Sequence, residues 1–117
     1  MHHTIGPDTL LLLTNDGLGH APEELRQKVV VTYLRLLLEN ATLPGAIAFY
    51  TRGVHLVAEG SPALEVLAEL EAKGVRLIVC KTCVEWFGLA DRLRVGIVGG
   101  MGDIVSAQAM AAKVITL

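Results

Sequence analysis

Lys73-Gly74-Val75-Arg76-Leu77-Ile78-Val79-Cys80-Lys81-Thr82-Cys83 carries a helix end, a strand and two thiols in direct succession. Gly74 supplies the left-handed cap that ends a helix. Val75 to Cys80 then reads as a buried strand, and Trp86-Phe87-Gly88 closes the segment beyond it. A thiol at the carboxyl end of a strand, beside a helix start, sits where open α/β sheets bind ligands. Cys80 and Cys83 are the only cysteines of the chain, and no other reactive atoms stand at so specific a spacing.

Outward from this stretch, strands alternate with helices. Thr9 to Thr14 is strand one, followed by the turn-rich Asn15-Asp16-Gly17-Leu18-Gly19-His20. Pro22 suits a first helical turn, and Glu23 and Glu24 suit the positive end of that helix. Leu25, Val29, Tyr33 and Leu36 recur at steps of four and three, which predicts a helix to about Glu39. Ala46 to Tyr50 is strand two. Thr51-Arg52-Gly53 turns the chain, and Val54 to Glu59 fits no single pattern. Ser61 is the expected N-cap and Pro62 the first position of a second helix, with Leu64, Leu67 and Leu70 as its buried face. After strand three, a short helix is expected over Val84 to Phe87 and strand four over Val95 to Val98. Gly99-Gly100-Met101-Gly102 reads as a loop, with Asp103 capping a helix that includes Ile104, Ala107, Met110 and Ala111. Val114 to Leu117 is strand five. Continuous apolar strands are expected when both faces of a sheet are covered. The chain therefore reads as one α/β domain over residues 1–117, three-layered, with a mainly parallel five-stranded sheet.

Composition narrows the function classes. The chain has 117 residues, 52% of them hydrophobic and 4% aromatic, so its core rests on Leu, Val, Ile and Ala. A net charge of −2, with ten scattered Lys and Arg residues, gives no nucleic-acid footprint. No apolar run approaches the roughly 18 residues needed to cross a bilayer. Met1-His2-His3-Thr4 lacks the basic and apolar regions of a signal peptide, and His2 and His3 read as a frayed terminus. A cytoplasmic, reducing compartment is expected, where two close cysteines suggest redox, sulfur or metal chemistry. The mean hydropathy of +0.51 suggests that other subunits cover part of the apolar surface.

Several kinds of chemistry suit the cysteine pair. With Cys80 ending the strand and Cys83 in the first turn beyond it, backbone N–H groups would lower a thiol pKa, and Lys81 would add positive charge. A thiolate is the nucleophile in both disulfide exchange and persulfide transfer. A thioredoxin-type dithiol has the same spacing, but here the pair comes late and no proline follows Pro62. Zinc needs four ligands, and only His20 and His55 stand beside the two cysteines as further candidates. Both thiols could also be small buried hydrophobes.

Gly53-Val54-His55-Leu56, Glu59-Gly60-Ser61-Pro62 with Leu64-Glu65, Leu70 through Val75, Cys80-Lys81-Thr82-Cys83 and Gly88-Leu89 resemble the DsrE/YchN family. The opening strand with Asn15-Asp16-Gly17-Leu18-Gly19 and the closing Ala112 to Leu117 fit the same pattern. The likeness covers nearly the whole chain and is greatest to the C-terminal DsrE-type domain of YedF-like proteins. It implies a flavodoxin-like α/β/α fold, trimers or hexamers, and the passing of sulfane sulfur as a cysteine persulfide. The sulfur-carrying cysteine of the family matches Cys80, and the second cysteine of its Cys-x-x-Cys members matches Cys83. YedF-like proteins usually carry an N-terminal domain resembling the sulfur carrier TusA. No room for one is expected before Thr9, so such a partner would act in trans or not at all.

The pocket residues expected beside the thiols are Asn15, Asp16 and Gly17 after strand one, Lys81 and Thr82 within the motif, and Gly100 and Met101 after strand four. Asn15 to His20 is otherwise a plain turn, since Pro22 breaks any Gly-x-Gly-x-x-Gly fingerprint. The glycines at 99–102 are otherwise a turn before a helix. Arg52 is either solvated or a contact for an anionic donor such as thiosulfate. Trp86 and Phe87 are expected in a subunit interface. No cofactor and no metal is expected. The competing functions are a non-catalytic oligomeric module that binds a small anion or a protein, and a dithiol redox switch.

Overall fold

The computed structural model describes residues 4–117, and the expectation for His2 and His3 lies outside them. The elements are β1 (Thr9–Leu13), α1 (Glu23–Glu39), β2 (Ala46–Phe49), a 3-10 helix (Thr51–Val57), α2 (Leu64–Ala72), β3 (Arg76–Cys80), α3 (Lys81–Trp86), β4 (Ile97–Gly99), α4 (Met101–Met110) and β5 (Lys113–Thr116). The strands form one sheet in the order β4-β3-β2-β1-β5, and every pairing is parallel. The chain steps from β1 to β4 in one direction and then crosses back to lay β5 beside β1. Right-handed crossovers therefore place α1 and α2 on one face and α4 on the other. α1 packs against α2, and α4 packs over β3 and β4. The result is the expected three-layer α/β/α, flavodoxin-like arrangement.

The apolar runs behave as their composition dictates. Leu10 to Leu13, Ala46 to Phe49 and Leu77 to Cys80 are all buried, because these central strands are covered on both faces. The outer strands differ, since Ile97, Val98 and Val114 are exposed.

The structure sets the buried face of α1 and corrects four expectations in α2, α3, β4 and α4. In α1 the stripe Leu25, Val29, Leu36 faces outward, and Val30, Leu34 and Leu37 are buried instead. Both sets have the same step of four and three, so periodicity finds the helix and not its buried face. α2 begins at Leu64. Ser61 accepts a hydrogen bond from the Ala63 backbone at 3.0 Å, which forms a turn with Pro62 ahead of the helix. Val66 joins Leu67 and Leu70 on its buried face, while Leu64 is only half-buried. α3 begins at Lys81, three residues earlier than expected, with Cys80 as the residue before it. Strand four is Ile97–Gly99, shifted along the chain so that Gly99 pairs with Cys80. In α4, Gly100 is the cap residue, and the Asp103 carboxylate in the first turn accepts the Gly100 N–H at 2.9 Å. Met101 and Gly102 are therefore helical. The unassigned Val54 to Glu59 falls mostly in the 3-10 helix, where Val54, Leu56 and Val57 are buried.

Candidate functional site

All five strands are parallel, so their carboxyl ends open on one edge of the sheet. Cys80 ends β3, next to Gly99 at the end of β4. On its other side Val79 pairs with Phe49, which sets Tyr50 and Thr51 beside the thiols. The Thr14–Asp16 loop after β1 lies one strand further on.

Helical spacing brings the two sulfurs together. Cys80 and Cys83 stand three residues apart across the start of α3, a spacing that places side chains on one face. Their Sγ atoms lie 3.1 Å apart, and both thiols are free. Cys80 is 1% exposed, whereas Cys83 is only half-buried. The backbone N–H of Thr51 donates to Cys83 Sγ across 3.0 Å.

Thr51 holds that donor in an unusual posture. Its φ is +49°, in the left-handed region that β-branched residues rarely enter. The hydroxyl lies 2.7 Å from the Thr14 carbonyl and 2.8 Å from that of Tyr50, and its proton serves one of them at a time. Gly53 follows so close to β1 that a Cβ there would sit 2.0 Å from the Leu13 carbonyl oxygen. The turn after β2 is thus tied to the end of β1 and aims a backbone N–H at the half-buried thiol. Nothing in the local sequence signals this role for Thr51.

Electrostatics correct one expectation. Burial pushes the Cys83 thiol above its ordinary pKa, and the neighbouring Cys80 adds to the rise. The Thr51 N–H pulls the other way without prevailing, because removing a thiolate from water costs more than one neutral donor returns. The rate of Cys83 alkylation should therefore keep climbing beyond about pH 9. A plateau near neutral pH in an iodoacetamide pH–rate series would contradict this.

The remaining expected residues separate into those near the thiols and those turned away. Lys81 points to solvent and meets Glu85 at 3.9 Å, with both side chains exposed. Thr82 is exposed as well. Lys81→Ala should leave Cys83 alkylation within about twofold of wild type, since so exposed a charge is screened by solvent. Gly100 and Met101 are exposed at the start of α4, on the same sheet edge as Cys80. Phe87 and Trp86 part company: Trp86 is 83% exposed, while Phe87 packs edge-on against His55 with ring centroids 4.5 Å apart.

Asn15, Asp16 and Gly17 form a rigid corner. Asp16 is buried and accepts from Arg26 Nε at 2.7 Å and Arg26 NH2 at 3.1 Å, with Arg52 NH2 at 3.3 Å. The Arg26 hydrogen bond, helped by both positive charges, holds the Asp16 carboxyl below the usual carboxylate range. A Cβ on Gly17 would meet the Arg26 backbone at 2.6 Å, so glycine is needed for the loop to seat on α1. Thr14, Asn15, His20, Arg26, Thr51 and Arg52 line an open cleft of about 560 Å³ that shares Thr51 with the thiol site. Arg26 has no sequence motif to flag it, since its partner stands ten residues away in another element. A second cleft, about 450 Å³, runs along β3 and β4 and contains neither thiol. Among the described residues no three His, Cys, Asp or Glu side chains gather closely enough to hold a metal ion. Within the same residues no helix is long and apolar enough to cross a membrane.

The architecture is shared with solved structures. A protein of unknown function from Methanobacterium thermoautotrophicum superposes with a TM-score of 0.68 at 21% identity, covering 93% of this chain and 97% of that one. The YchN protein from E. coli gives 0.65 at 17% identity, covering 93% and 98%. A conserved protein of unknown function from Bacteroides thetaiotaomicron gives 0.65 at 19%, covering 94% and 95%. At such identities the likeness establishes the fold. No curated protein matches the chain. The DsrE/DsrF-like family model, in contrast, matches residues 10–117, from the first central strand to the last residue and across both thiols, and the chain belongs to that family.

Proposed function

We propose that this protein is a sulfur-relay protein that accepts and passes on sulfane sulfur through the Cys80–Cys83 pair. The observation that carries this reading is the contact of two free sulfurs, 3.1 Å apart, at the carboxyl edge of a DsrE-family sheet. A cysteine thiolate attacks the outer sulfur of a donor persulfide R–S–SH. A new S–S bond forms on the protein, the bond between R–S and that sulfur breaks, and R–S⁻ departs. An acceptor thiolate then takes the outer sulfur by the same exchange. Within the family we liken the chain to the DsrE-type domain of YedF-like proteins, a likeness that rests on Cys80-Lys81-Thr82-Cys83. A TusA-like carrier acting in trans would be a fitting donor or acceptor, in the cytoplasm. Homo-oligomerisation, as a trimer or hexamer, would cover the exposed Leu25, Val29 and Leu36 of α1 and the exposed Met101 and Val105 of α4.

The test is intact-protein mass spectrometry of the reduced chain after exposure to glutathione persulfide. The expected result is a gain of about 32 Da, one sulfur atom, that a reductant removes. The sulfur contact also suits a second reading, a dithiol redox switch. That reading gains ground if the only product is a loss of about 2 Da, the two hydrogens given up on disulfide formation. Unchanged mass, with both thiols reacting only after unfolding, would rule out both.

A further inference from the structure

Resting on that relay reading, we infer that the cleft beside the turn after β2 is a carboxylate-binding subsite, in which Arg52 holds a small amino-acid or peptide persulfide as the sulfur donor. The cleft, about 560 Å³, is lined by the loop after β1, the start of α1 and the turn after β2. Thr51 belongs both to its wall and to the thiol site, where its N–H donates to Cys83 Sγ at 3.0 Å. A molecule seated on Arg52 therefore has one residue between itself and the sulfur pair.

Two arginines line the cleft, and they differ in what they have left to give. The Arg26 side chain is 14% exposed and spends its donors inside the protein, Nε and Nη2 on Asp16 and Nη1 on the Ala21 carbonyl at 3.0 Å. The Arg52 side chain is 58% exposed and makes one contact, from Nη2 to Asp16 at 3.3 Å. A guanidinium has two forked edges that share Nη2, so a single contact leaves one edge free to take a carboxylate bidentately. Asp16 is buried, and its one charge does not balance two arginines. None of the residues lining the cleft is acidic, and Glu23 at the start of α1 accepts from Gln27 at 3.3 Å instead. Asn15 adds a neutral donor, since its Nδ2 gives one hydrogen to the Gly19 carbonyl at 3.3 Å and keeps the other.

The turn also presents Arg52 from a fixed backbone. Thr51 is held at a φ of +49° by its hydroxyl contacts, and Gly53 is pressed against β1 on the other side. Little backbone freedom remains to be lost on binding, which favours affinity. Reach then selects the donor class. A sulfur oxyanion such as thiosulfate carries its charge one bond from the transferable sulfur, too short a span to touch Arg52 and a thiol with Thr51 between them. An amino-acid or peptide persulfide carries its carboxylate several bonds from the S–S group, a span that matches one residue of chain. With that carboxylate on Arg52, a thiolate of the pair attacks the outer sulfur of R–S–SH. The new S–S bond forms on the protein, the R–S bond to that sulfur breaks, and R–S⁻ departs with its carboxylate. The subsite serves whichever of the two thiols accepts.

The experiment measures initial rates of sulfur gain by intact-protein mass spectrometry on reduced full-length wild type, Arg52→Ala and Arg52→Lys, with circular dichroism of each. The donors are glutathione persulfide and its diethyl ester, each rate divided by that of the same donor with N-acetylcysteine, and thiosulfate. Wild type should prefer glutathione persulfide to the ester by roughly tenfold or more, as expected for a charged, hydrogen-bonded pair. Arg52→Ala should lose that preference through a higher half-saturating concentration, and Arg52→Lys should recover only part of it. Both variants should handle the ester within about twofold of wild type. S-Methylglutathione, which keeps the carboxylates and has no sulfur to transfer, should slow loading of wild type and not of Arg52→Ala. No preference in wild type overturns the subsite while the relay stands, and that comparison needs no variant to fold. A preference that survives in folded Arg52→Ala overturns it too. Faster loading from thiosulfate than from glutathione persulfide, lost in Arg52→Ala, overturns the carboxylate class. If wild type gains no sulfur from any donor, the relay itself fails and the donor assignment falls with it.

Discussion

Gly53→Ala is expected to cost about 3–5 kcal/mol, a large share of the stability of a domain this size. A Cβ at this position would lie 2.0 Å from the Leu13 carbonyl oxygen, 2.8 Å from its carbonyl carbon and 3.3 Å from the Thr14 nitrogen. All three are backbone atoms at the end of a central strand, so no rotamer change relieves the overlap. The chain must instead pull the turn after β2 away from β1. That movement breaks the hydrogen bond from Tyr50 N to Leu13 O and the contact from the Thr51 hydroxyl to Thr14 O. It also withdraws the Thr51 N–H from Cys83. Urea titration measures the loss directly, with Gly102→Ala as the control. Gly102 lies in α4 with open space where a Cβ would go, so alanine there should be neutral or stabilising by up to about 1 kcal/mol. A Gly53→Ala midpoint equal to wild type would show that β1 and the turn after β2 do not approach as described. If soluble Gly53→Ala is recovered, its Cys83 should alkylate at a rate unlike that of wild type, because the thiol has lost its donor.

Burial made the central sheet legible in the sequence. Strands covered on both faces must be continuously apolar, and Leu10 to Leu13, Ala46 to Phe49 and Leu77 to Val79 satisfy that without ambiguity. The same density of apolar residues hid the orientation of α1. Val29-Val30-Val31 and Leu36-Leu37-Leu38 put an aliphatic residue on nearly every side of the helix, so two stripes compete and only tertiary packing selects Val30, Leu34 and Leu37, which join the core shared with the sheet. Helix starts were misplaced where a polar side chain closes a turn ahead of the helix, as Ser61 does, or caps it from inside, as Asp103 does. A residue type reports that a cap exists, and not on which side of it the helix begins.

The sulfur contact was legible because it needs only a strand end and a three-residue helical step. The Thr51 donor was not, since a threonine at positive φ contradicts its own backbone preference and exists only through contacts with Thr14, Tyr50 and the crowding at Gly53. The partner of Asp16 was hidden for a related reason. An acidic residue in a turn-rich loop carries no local sign of its partner, and only the folding of α1 back over that loop brings Arg26 to it. Long-range contacts of this kind set the chemistry of the site, while local pattern sets its position in the fold.

Asp16→Asn is expected to lower stability at neutral pH by about 2–3 kcal/mol, the usual value of hydrogen bonds to a charged group. For a chain of this length the melting temperature should fall by about 10 °C. The buried carboxylate receives both donors of the Arg26 fork and one from Arg52, and an amide can neither accept them all nor balance the Arg26 charge. The pH dependence carries a definite sign. The Asp16 carboxyl lies below its ordinary pKa in the folded protein, so the folded state releases its proton more readily than the unfolded chain does. Its contribution is therefore complete above the unfolded value of about 3.9 and is lost as pH falls through the lower folded value. The gap between wild type and Asp16→Asn, measured by thermal melts, should be constant from about pH 5 to 7 and should narrow steadily below about pH 4. A gap that stays unchanged down to about pH 2.5 would mean that the charge on Asp16 does not hold the loop. The consequence reaches the thiols through Arg52, which contacts Asp16 and directly follows Thr51, and through the backbone. The Asp16 corner follows directly from Thr14, whose carbonyl receives the Thr51 hydroxyl, and Thr51 in turn holds the N–H on Cys83. A loosened corner should therefore change the alkylation rate of Cys83 although Asp16 makes no contact with sulfur, whereas the exposed Lys81, much nearer in sequence, should leave it nearly unmoved.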